Sequence, residues 1–246
     1  MIGRVILAAL LAGIAAGLFY GAVQHVRLTP LILEAEKYEN AGGDGHSHDH
    51  AAATTTTTTT TTEQAPAPAA EPAAEEEAWA PQDGAERTFY TFLASILAGA
   101  GFAAILAGVS LLSGVRITPR NGVLWGVAGF LAVHLAPAAG LAPELPGMPA
   151  ADLLARQVWW IGTIVATGVA IWLFTQRDEA WAKVAAIILV LIPHIIGAPQ
   201  PPTHESGVPA GLSAEFAANT LSAAALLWLM IGGFLGFAMD RFVKEA

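Results

Sequence analysis

The chain has 246 residues, of which 54% are hydrophobic and only 13% are charged, whereas soluble domains carry roughly a quarter charged residues. This composition excludes an ordinary soluble protein and favours an integral membrane protein. The net charge of −9 describes one acidic segment, because most Asp and Glu residues lie between positions 34 and 86. The chain has no cysteine, which excludes disulfides, thiolate metal sites and cysteine nucleophiles.

Apolar stretches long enough to cross about 30 Å of hydrocarbon as helices recur along the chain. They lie near residues 5–23, 89–112, 123–141, 158–175, 181–198 and 217–239. The first follows Arg4 and is longer than a usual signal-peptide core, so we interpret it as a retained span, with a cleaved leader as the alternative. The sequence therefore predicts an all-α integral membrane protein with about six transmembrane helices.

The stretch 34–88 has no periodic apolar residues and is of low complexity. It contains a His/Gly run, the nine-threonine tract Thr54 to Thr62 and an Ala/Pro/Glu segment. We expect one long disordered loop here. The predicted organisation is a first transmembrane helix with its outer flank (1–33), the acidic loop (34–88) and a five-helix transmembrane bundle (89–246).

Basic residues in short connections predict the orientation, because cytoplasmic loops retain Lys and Arg. Those on one predicted side are Arg4, Arg116, Arg120, Arg177, Arg241 and Lys244. The connection 197–216 on the opposite side has none, and 142–157 has only Arg156. We therefore expect both termini in the cytoplasm, the acidic loop outside, and a multi-pass protein of the inner (cytoplasmic) membrane.

Small residues at a spacing of four predict close helix packing. Such ridges are Gly13, Gly17 and Gly21, Gly122 with Gly126, and Gly232 with Gly236. Trp159 and Trp160 lie near a predicted outer end, where ordinary anchoring at the membrane interface accounts for them.

With this topology, all seven histidines avoid the cytoplasmic side. His25 ends the first span, and His204 lies in the loop beyond the fifth. His134 and His194 lie in the outer thirds of the third and fifth spans, and each neighbours a proline that disturbs helical hydrogen bonding. Backbone freed in this way is tolerated where it lines a cavity. Neutral imidazole suits cobalt, nickel, copper and zinc; the alternative is that each histidine only hydrogen-bonds a neighbouring helix.

The run His46-Ser-His48-Asp-His50 places its imidazoles on one side of an extended segment. We expect it to bind metal loosely and to raise the local ion concentration; binding without function is the alternative.

Motifs for energy coupling and for covalent chemistry are missing from the sequence. No lysine follows a glycine, so a Gly-x-x-x-x-Gly-Lys phosphate loop is excluded, as are His-Glu-x-x-His and Gly-x-Ser-x-Gly motifs. The sequence gives no support for an enzyme, for a tightly bound cofactor or for nucleic-acid binding.

The segments outside the loop resemble the cobalt transporter subunit family CbtA. The matching stretches are 31–39, 86–88, 125–129, 135–147, 155–160 and 192–199. The resemblance implies cobalt import for cobalamin synthesis, beside a small one-helix, histidine-containing subunit, CbtB. It does not cover residues 41–82, and it includes His194 but not His134.

Glu144, Arg156, Gln157 and Pro199 join His194 on the predicted outer face. Glu144 and Gln157 offer oxygen ligands, whereas Arg156 repels cations and is expected to hold a carboxylate such as Asp152 or Glu144. A packed outer loop stabilised by polar contacts is the alternative for this group.

The sequence thus predicts a membrane subunit that takes up a divalent transition ion, cobalt in the first instance, in contact with lipid and with a CbtB-like partner. The predicted metal ligands are His194, His134, Glu144, His25, His204, His46, His48 and His50. A non-transporting metal-binding or scaffold subunit is the alternative. Imidazole and carboxylate ligands serve cobalt, nickel and zinc alike, so the choice among them stays open.

Overall fold

The computed structural model describes residues 2–42 and 81–243, with side chains to residue 38 in the first part. Every element in these two parts is helical. The helices are α1 (Ile2–Val23), α2 (Thr29–Gly42), α3 (Ala85–Ser113), α4 (Gly122–Phe130), α5 (Ala136–Ala138), α6 (Leu153–Gln176), α7 (Ala180–Ile196) and α8 (Ala210–Val243). A π-turn, Gln24–Leu28, joins α1 to α2, and a second, Leu131–Leu135, joins α4 to α5. The predicted all-helical class is confirmed.

Each predicted span overlaps one continuous helical segment, although the predicted spans 123–141 and 181–198 run past the helix ends at Ala138 and Ile196. In the described part, four segments are long and apolar enough to cross a membrane: Ile2–Tyr38, Ala85–Ser113, Leu153–Gln176 and Ala210–Val243. The apolar segments Gly122–Ala138 and Ala180–Ile196 are shorter. At 1.5 Å per residue, 17 residues reach about 25 Å, slightly less than the hydrocarbon core. The number of crossings, six, therefore stays a prediction.

Glycine allows α1 and α3 to touch along their backbones. A Cβ atom at Gly17 would lie 2.6 Å from the Cα of Ile96, and one at Gly99 would lie 3.0 Å from the Cα of Gly17. Because no side chain separates the two helices, their backbones form a close interface. The predicted small-residue ridge on α1 is confirmed.

A second seam joins α4 to α8. A Cβ atom at Gly232 would lie 2.7 Å from the amide nitrogen of Gly126, and one at Gly129 would meet the ring of Trp228. The indole of Trp228 is only 1% exposed and packs in the main apolar core with residues of α1 and α3. The other two predicted ridges are therefore also interfaces.

The connections of the bundle gather at its two ends. At one end, residues of α2, of the connection 139–152, of the connection 197–209 and of the start of α8 pack into a second apolar cluster: Leu28, Ala35, Leu145, Val208, Phe216 and Ala223. We call this end the loop end. At the opposite end, Ile117 of the connection 114–121 packs with Val5 and Met239. The connections 142–157 and 197–216, which were predicted to share a side, both contribute to the cluster at the loop end.

The hairpin of α6 and α7 lies at the edge of the bundle. Helix α7 packs mainly on α6, and α6 meets the rest of the protein chiefly through the second π-turn and α5. An apolar groove of about 440 Å³ separates Leu131 from the hairpin, with Phe174 and Ile187 among its walls. The hairpin therefore packs on the bundle near the loop end, and the apolar groove separates the two further from that end.

Each π-turn ends two residues before a proline. The amide of Thr29 donates to the carbonyl of Gln24 before Pro30, and the amide of Ala136 donates to the carbonyl of Leu131 before Pro137. Proline cannot donate a helical hydrogen bond, and the wider turn lets the chain continue as helix. Single π-turns are frequent at functional sites, and these two contain His25 and His134.

The prediction that the loop begins at residue 34 is wrong, because α2 continues to Gly42. The acidic residues suggested a loop, but Leu31, Ala35 and Tyr38 recur at helical spacing and pack into the cluster at the loop end. At the other boundary α3 already begins at Ala85. Residues 43–80, which include the threonine tract, lie outside the described residues.

Candidate functional site

A cavity of about 330 Å³ lies at the loop end, between the second π-turn, α5, the start of α6 and α8. Its walls are mostly apolar. The polar side chains that line it are His134, Glu144, Arg156, Gln157 and Thr220. Two predicted ligands, His134 and Glu144, therefore share one cavity with both polar neighbours that the sequence placed on the same face.

The carboxylate of Glu144 is held by Arg156. The guanidinium Nη2 of Arg156 donates to Oε2 of Glu144 at 2.8 Å, and the two side chains are 31% and 26% exposed. This confirms the prediction that Arg156 holds a carboxylate and identifies Glu144 as that carboxylate. Asp152 has another role, since its Oδ1 accepts a hydrogen bond from the amide of Ala155 at 2.8 Å and caps α6.

The backbone around Glu144 is anchored by its neighbour. Leu145 is buried in the apolar cluster at the loop end, and its amide donates to the sulfur of Met148 at 3.3 Å. Glu144 is thus presented from a turn whose next residue is fixed in the core.

His134 lies among aromatic rings. Phe102 and Trp228 meet it edge to face, with centroids 5.8 and 6.2 Å away, and Phe130 stacks on it at 6.4 Å. The indole Nε1 of Trp228 donates to Nδ1 of His134 at 2.9 Å. A neutral imidazole that accepts at Nδ1 carries its proton on Nε2. The hydrogen bond to a neighbouring helix, which the sequence left open as an alternative, is therefore present.

His194 is half-buried beside a different tryptophan. Its ring meets Trp159 at a centroid distance of 5.9 Å, and the indole Nε1 of Trp159 donates to the carbonyl of Pro193 at 3.1 Å. A Cβ atom at Gly140 would lie 2.6 Å from the Trp159 ring. Trp159 thus joins α6, α7 and the connection after α5, which membrane anchoring alone did not indicate. His194 is not among the described residues that line the cavity.

The remaining predicted ligands are spread out or outside the described part. His25 and His204 are both exposed. His46, His48 and His50 lie outside the described residues. Within residues 2–42 and 81–243, the structure brings no three His, Asp or Glu side chains together in a group able to hold a metal ion.

Sequence reasoning missed two partners within this site, Thr220 and Trp228. The hydroxyl of Thr220 is buried and has no hydrogen-bond partner among the described residues. A polar residue in an apolar helix is a signal for a functional or hydrogen-bonding role. The neighbours that such a residue faces depend on the rotation of α8, which the sequence does not show.

The loop end also holds basic residues that the orientation argument overlooked. Nη1 of Arg87 on α3 lies 2.8 Å from Oε1 of Glu36 on α2, and its Nε lies 2.8 Å from Oδ1 of Asp83. Lys37 pairs with Glu34 at 2.6 Å. These basic residues are paired with carboxylates, so the predicted orientation depends on the basic residues at the opposite end. There Arg177 lies over the ring of Trp172 and Lys183 over that of Phe174, as basic residues do at a membrane interface.

Comparison with known families identifies the chain. The family model described as "Probable cobalt transporter subunit (CbtA)" matches residues 2–240, nearly the whole chain. The chain belongs to the CbtA family. No curated protein and no solved structure matches it.

Membership in CbtA gives the helical architecture a biological setting. CbtA proteins are probable subunits of a cobalt transporter, so the chain works with other subunits in a lipid membrane that it crosses several times. The family accordingly suggests cobalt as the transported substrate. The CbtA match extends over His134, Glu144 and His194 alike.

Proposed function

We propose that this chain is the multi-pass subunit of a cobalt importer in the inner (cytoplasmic) membrane, and that cobalt enters through the cavity at the loop end. The observation that carries the proposal is the gathering of Glu144 and Gln157 around one cavity in a member of a cobalt transporter family. Carboxylate and amide oxygens attract a divalent cation directly or through water. The imported cobalt would supply cobalamin synthesis.

The distribution of charge supports a loop end that faces outward. Arg116, Arg120 and Arg177 lie in the two short connections at the opposite end, as expected of the cytoplasmic side. At the loop end, Arg87 and Arg156 are both bound to carboxylates. The acidic residues there attract cations from the outer solution.

The histidines fit a path toward the cavity. His25 and His204 are exposed at the protein surface and are proposed to meet the ion first, and the run His46 to His50 would raise the local concentration of cobalt. His194, half-buried beside Trp159, is proposed as a further contact for the ion. A small one-helix, CbtB-like subunit is the proposed partner, and a membrane gradient, a cytoplasmic metal sink or that partner supplies the driving force.

Uptake of labelled cobalt tests the proposal in cells that carry or lack the gene, with nickel and zinc as competitors. Glu144→Gln removes the charge and keeps the shape, so we expect uptake to fall at least tenfold at an unchanged amount of membrane protein. Asp152→Asn is the matched control, since its carboxylate caps a helix. We expect His194→Ala to reduce uptake as well. Equal uptake by Glu144→Gln and wild type would refute the role of the cavity.

A second candidate is a metal-binding or scaffold subunit that does not itself transport. It is favoured by the engagement of His134 with Trp228 and of Glu144 with Arg156, both of which leave these groups in stable contacts. Purified protein in liposomes distinguishes the two functions. Cobalt flux into the vesicles supports the carrier, whereas binding without flux supports the scaffold.

A further inference from the structure

The hydrogen bonds around the cavity determine how its side chains can meet a metal ion. His134 accepts a hydrogen bond from Trp228 at Nδ1, so its neutral ring carries a proton on Nε2. A protonated nitrogen has no lone pair for a metal. Trp228 is 1% exposed and packs against Phe102 with centroids 4.9 Å apart, so the indole is not free to release the ring.

Glu144 is restricted in the same way. Its Oε2 is occupied by Nη2 of Arg156 at 2.8 Å, and a bare dication bound there would have to approach the guanidinium closely. A cation that remains one water layer away from Glu144 avoids most of this repulsion, since Coulomb energy falls with distance and with screening. Glu144 then acts through Oε1, to which no other described residue donates a hydrogen bond.

Gln157 also lines the cavity, and the oxygen of its side-chain amide is a further acceptor. Thr220 lines the cavity as well, but its hydroxyl oxygen is buried and is not accessible to water. Water bound to a metal ion directs its hydrogens outward and needs such acceptors. An octahedral shell of six waters, at about 30 Å³ each, requires roughly 180 Å³. The cavity, at about 330 Å³, has room for it.

We propose that the cavity accepts cobalt with its water shell intact, through hydrogen bonds from the bound waters to Glu144 and Gln157. His134 does not coordinate the ion in this arrangement. The inference rests on the proposed function, since it concerns the form in which the same cavity receives its substrate.

Hexaamminecobalt(III) is the probe for this proposal, because it does not exchange its ammonia ligands and can bind only through outer contacts. The experiment uses the full chain in liposomes with His46, His48 and His50 replaced by serine, so that the run contributes no imidazole signal. Cobalt(II) binding is measured with and without the probe. X-ray absorption of bound cobalt(II) reports whether its ligands are oxygen alone or include imidazole.

We expect hexaamminecobalt(III) to displace cobalt(II) and the bound cobalt(II) to show oxygen ligands only. Glu144→Gln is expected to weaken binding of both ions at least tenfold, and Gln157→Leu to weaken both severalfold. Leu154→Ala, which changes an exposed residue of α6 that does not line the cavity, serves as the control and leaves both affinities within about twofold.

The outcomes separate this proposal from the proposed function. Cobalt(II) binding and uptake without displacement by the probe, or with imidazole scattering, would overturn the hydrated-ion proposal and leave cobalt transport standing. If the wild-type chain neither binds nor takes up cobalt, both the hydrated-ion proposal and the proposed function would be overturned.

Discussion

Adjacent glycines on α8 offer a sharp test of the packing between α4 and α8. Gly232 faces α4, and a Cβ atom there would lie 2.7 Å from the amide nitrogen of Gly126 and 2.9 Å from its Cα, whereas one at Gly233 has nothing within 4 Å. Replacement by alanine gives both positions the same gain in helix propensity, at most about 1 kcal/mol. Only Gly232→Ala overpacks a backbone contact, which costs about 1–3 kcal/mol.

We therefore expect Gly232→Ala to have a free energy of unfolding about 1–3 kcal/mol below that of Gly233→Ala, a ratio of roughly 5 to 150 in the unfolding equilibrium. Reversible unfolding in mixed micelles, followed by circular dichroism and by tryptophan fluorescence, measures the difference. Equal stability of the two variants would refute the close approach of α4 and α8. Uptake of cobalt by Gly233→Ala checks that the matched variant still works.

Three further predictions concern side chains that join helices. Trp228→Phe leaves Nδ1 of His134 without its donor at 2.9 Å, so we expect a loss of about 1–3 kcal/mol in unfolding free energy. The double variant with His134→Phe is expected to recover most of this loss. Unchanged stability of the single variant would contradict the hydrogen bond. In Gly140→Ala the new Cβ atom meets the ring of Trp159 at 2.6 Å, so we expect the free energy of unfolding to fall by about 1–3 kcal/mol. Gly162→Ala is the control, because Gly162 has open space around it. Equal melting temperatures of the two variants would exclude the Trp159 contact. Arg87→Glu places a third carboxylate beside Glu36 and Asp83, so we expect the free energy of unfolding to fall by about 1 kcal/mol. The double variant Arg87→Glu with Glu36→Arg is expected to restore the stability. A double variant no more stable than the single variant would count against the ion pair.

Features that depend on spacing or on backbone size were predictable from the sequence. Gly13, Gly17 and Gly232 mark interfaces because only a residue without a side chain allows two helix backbones to touch. The pairing of Arg156 with a carboxylate was also predictable, since a lone cation among acids close in sequence has few other partners.

Features that depend on helix rotation were not predictable. Trp228 is 1% exposed and Phe237 is 68% exposed, although both are large apolar residues of the same helix. In a membrane the lipid-facing side is as apolar as the core, so hydrophobicity does not distinguish the two faces. For the same reason the bonds of Trp228 to His134 and of Trp159 to the carbonyl of Pro193 became visible only in three dimensions.

The prediction of a loop at residues 34–42 was wrong for a different reason. Its acidic composition favoured a loop, but the apolar residues Leu31, Ala35 and Tyr38 bury one face of α2, and this burial outweighs composition. Tertiary packing commonly overrides such local signals.

The ion pair between Arg87 and Glu36 joins the two helices that border residues 43–80. It therefore fixes the distance between the points where that stretch leaves and rejoins the bundle. A change in the number of threonines would leave this contact in place, because neither Arg87 nor Glu36 belongs to the repeat.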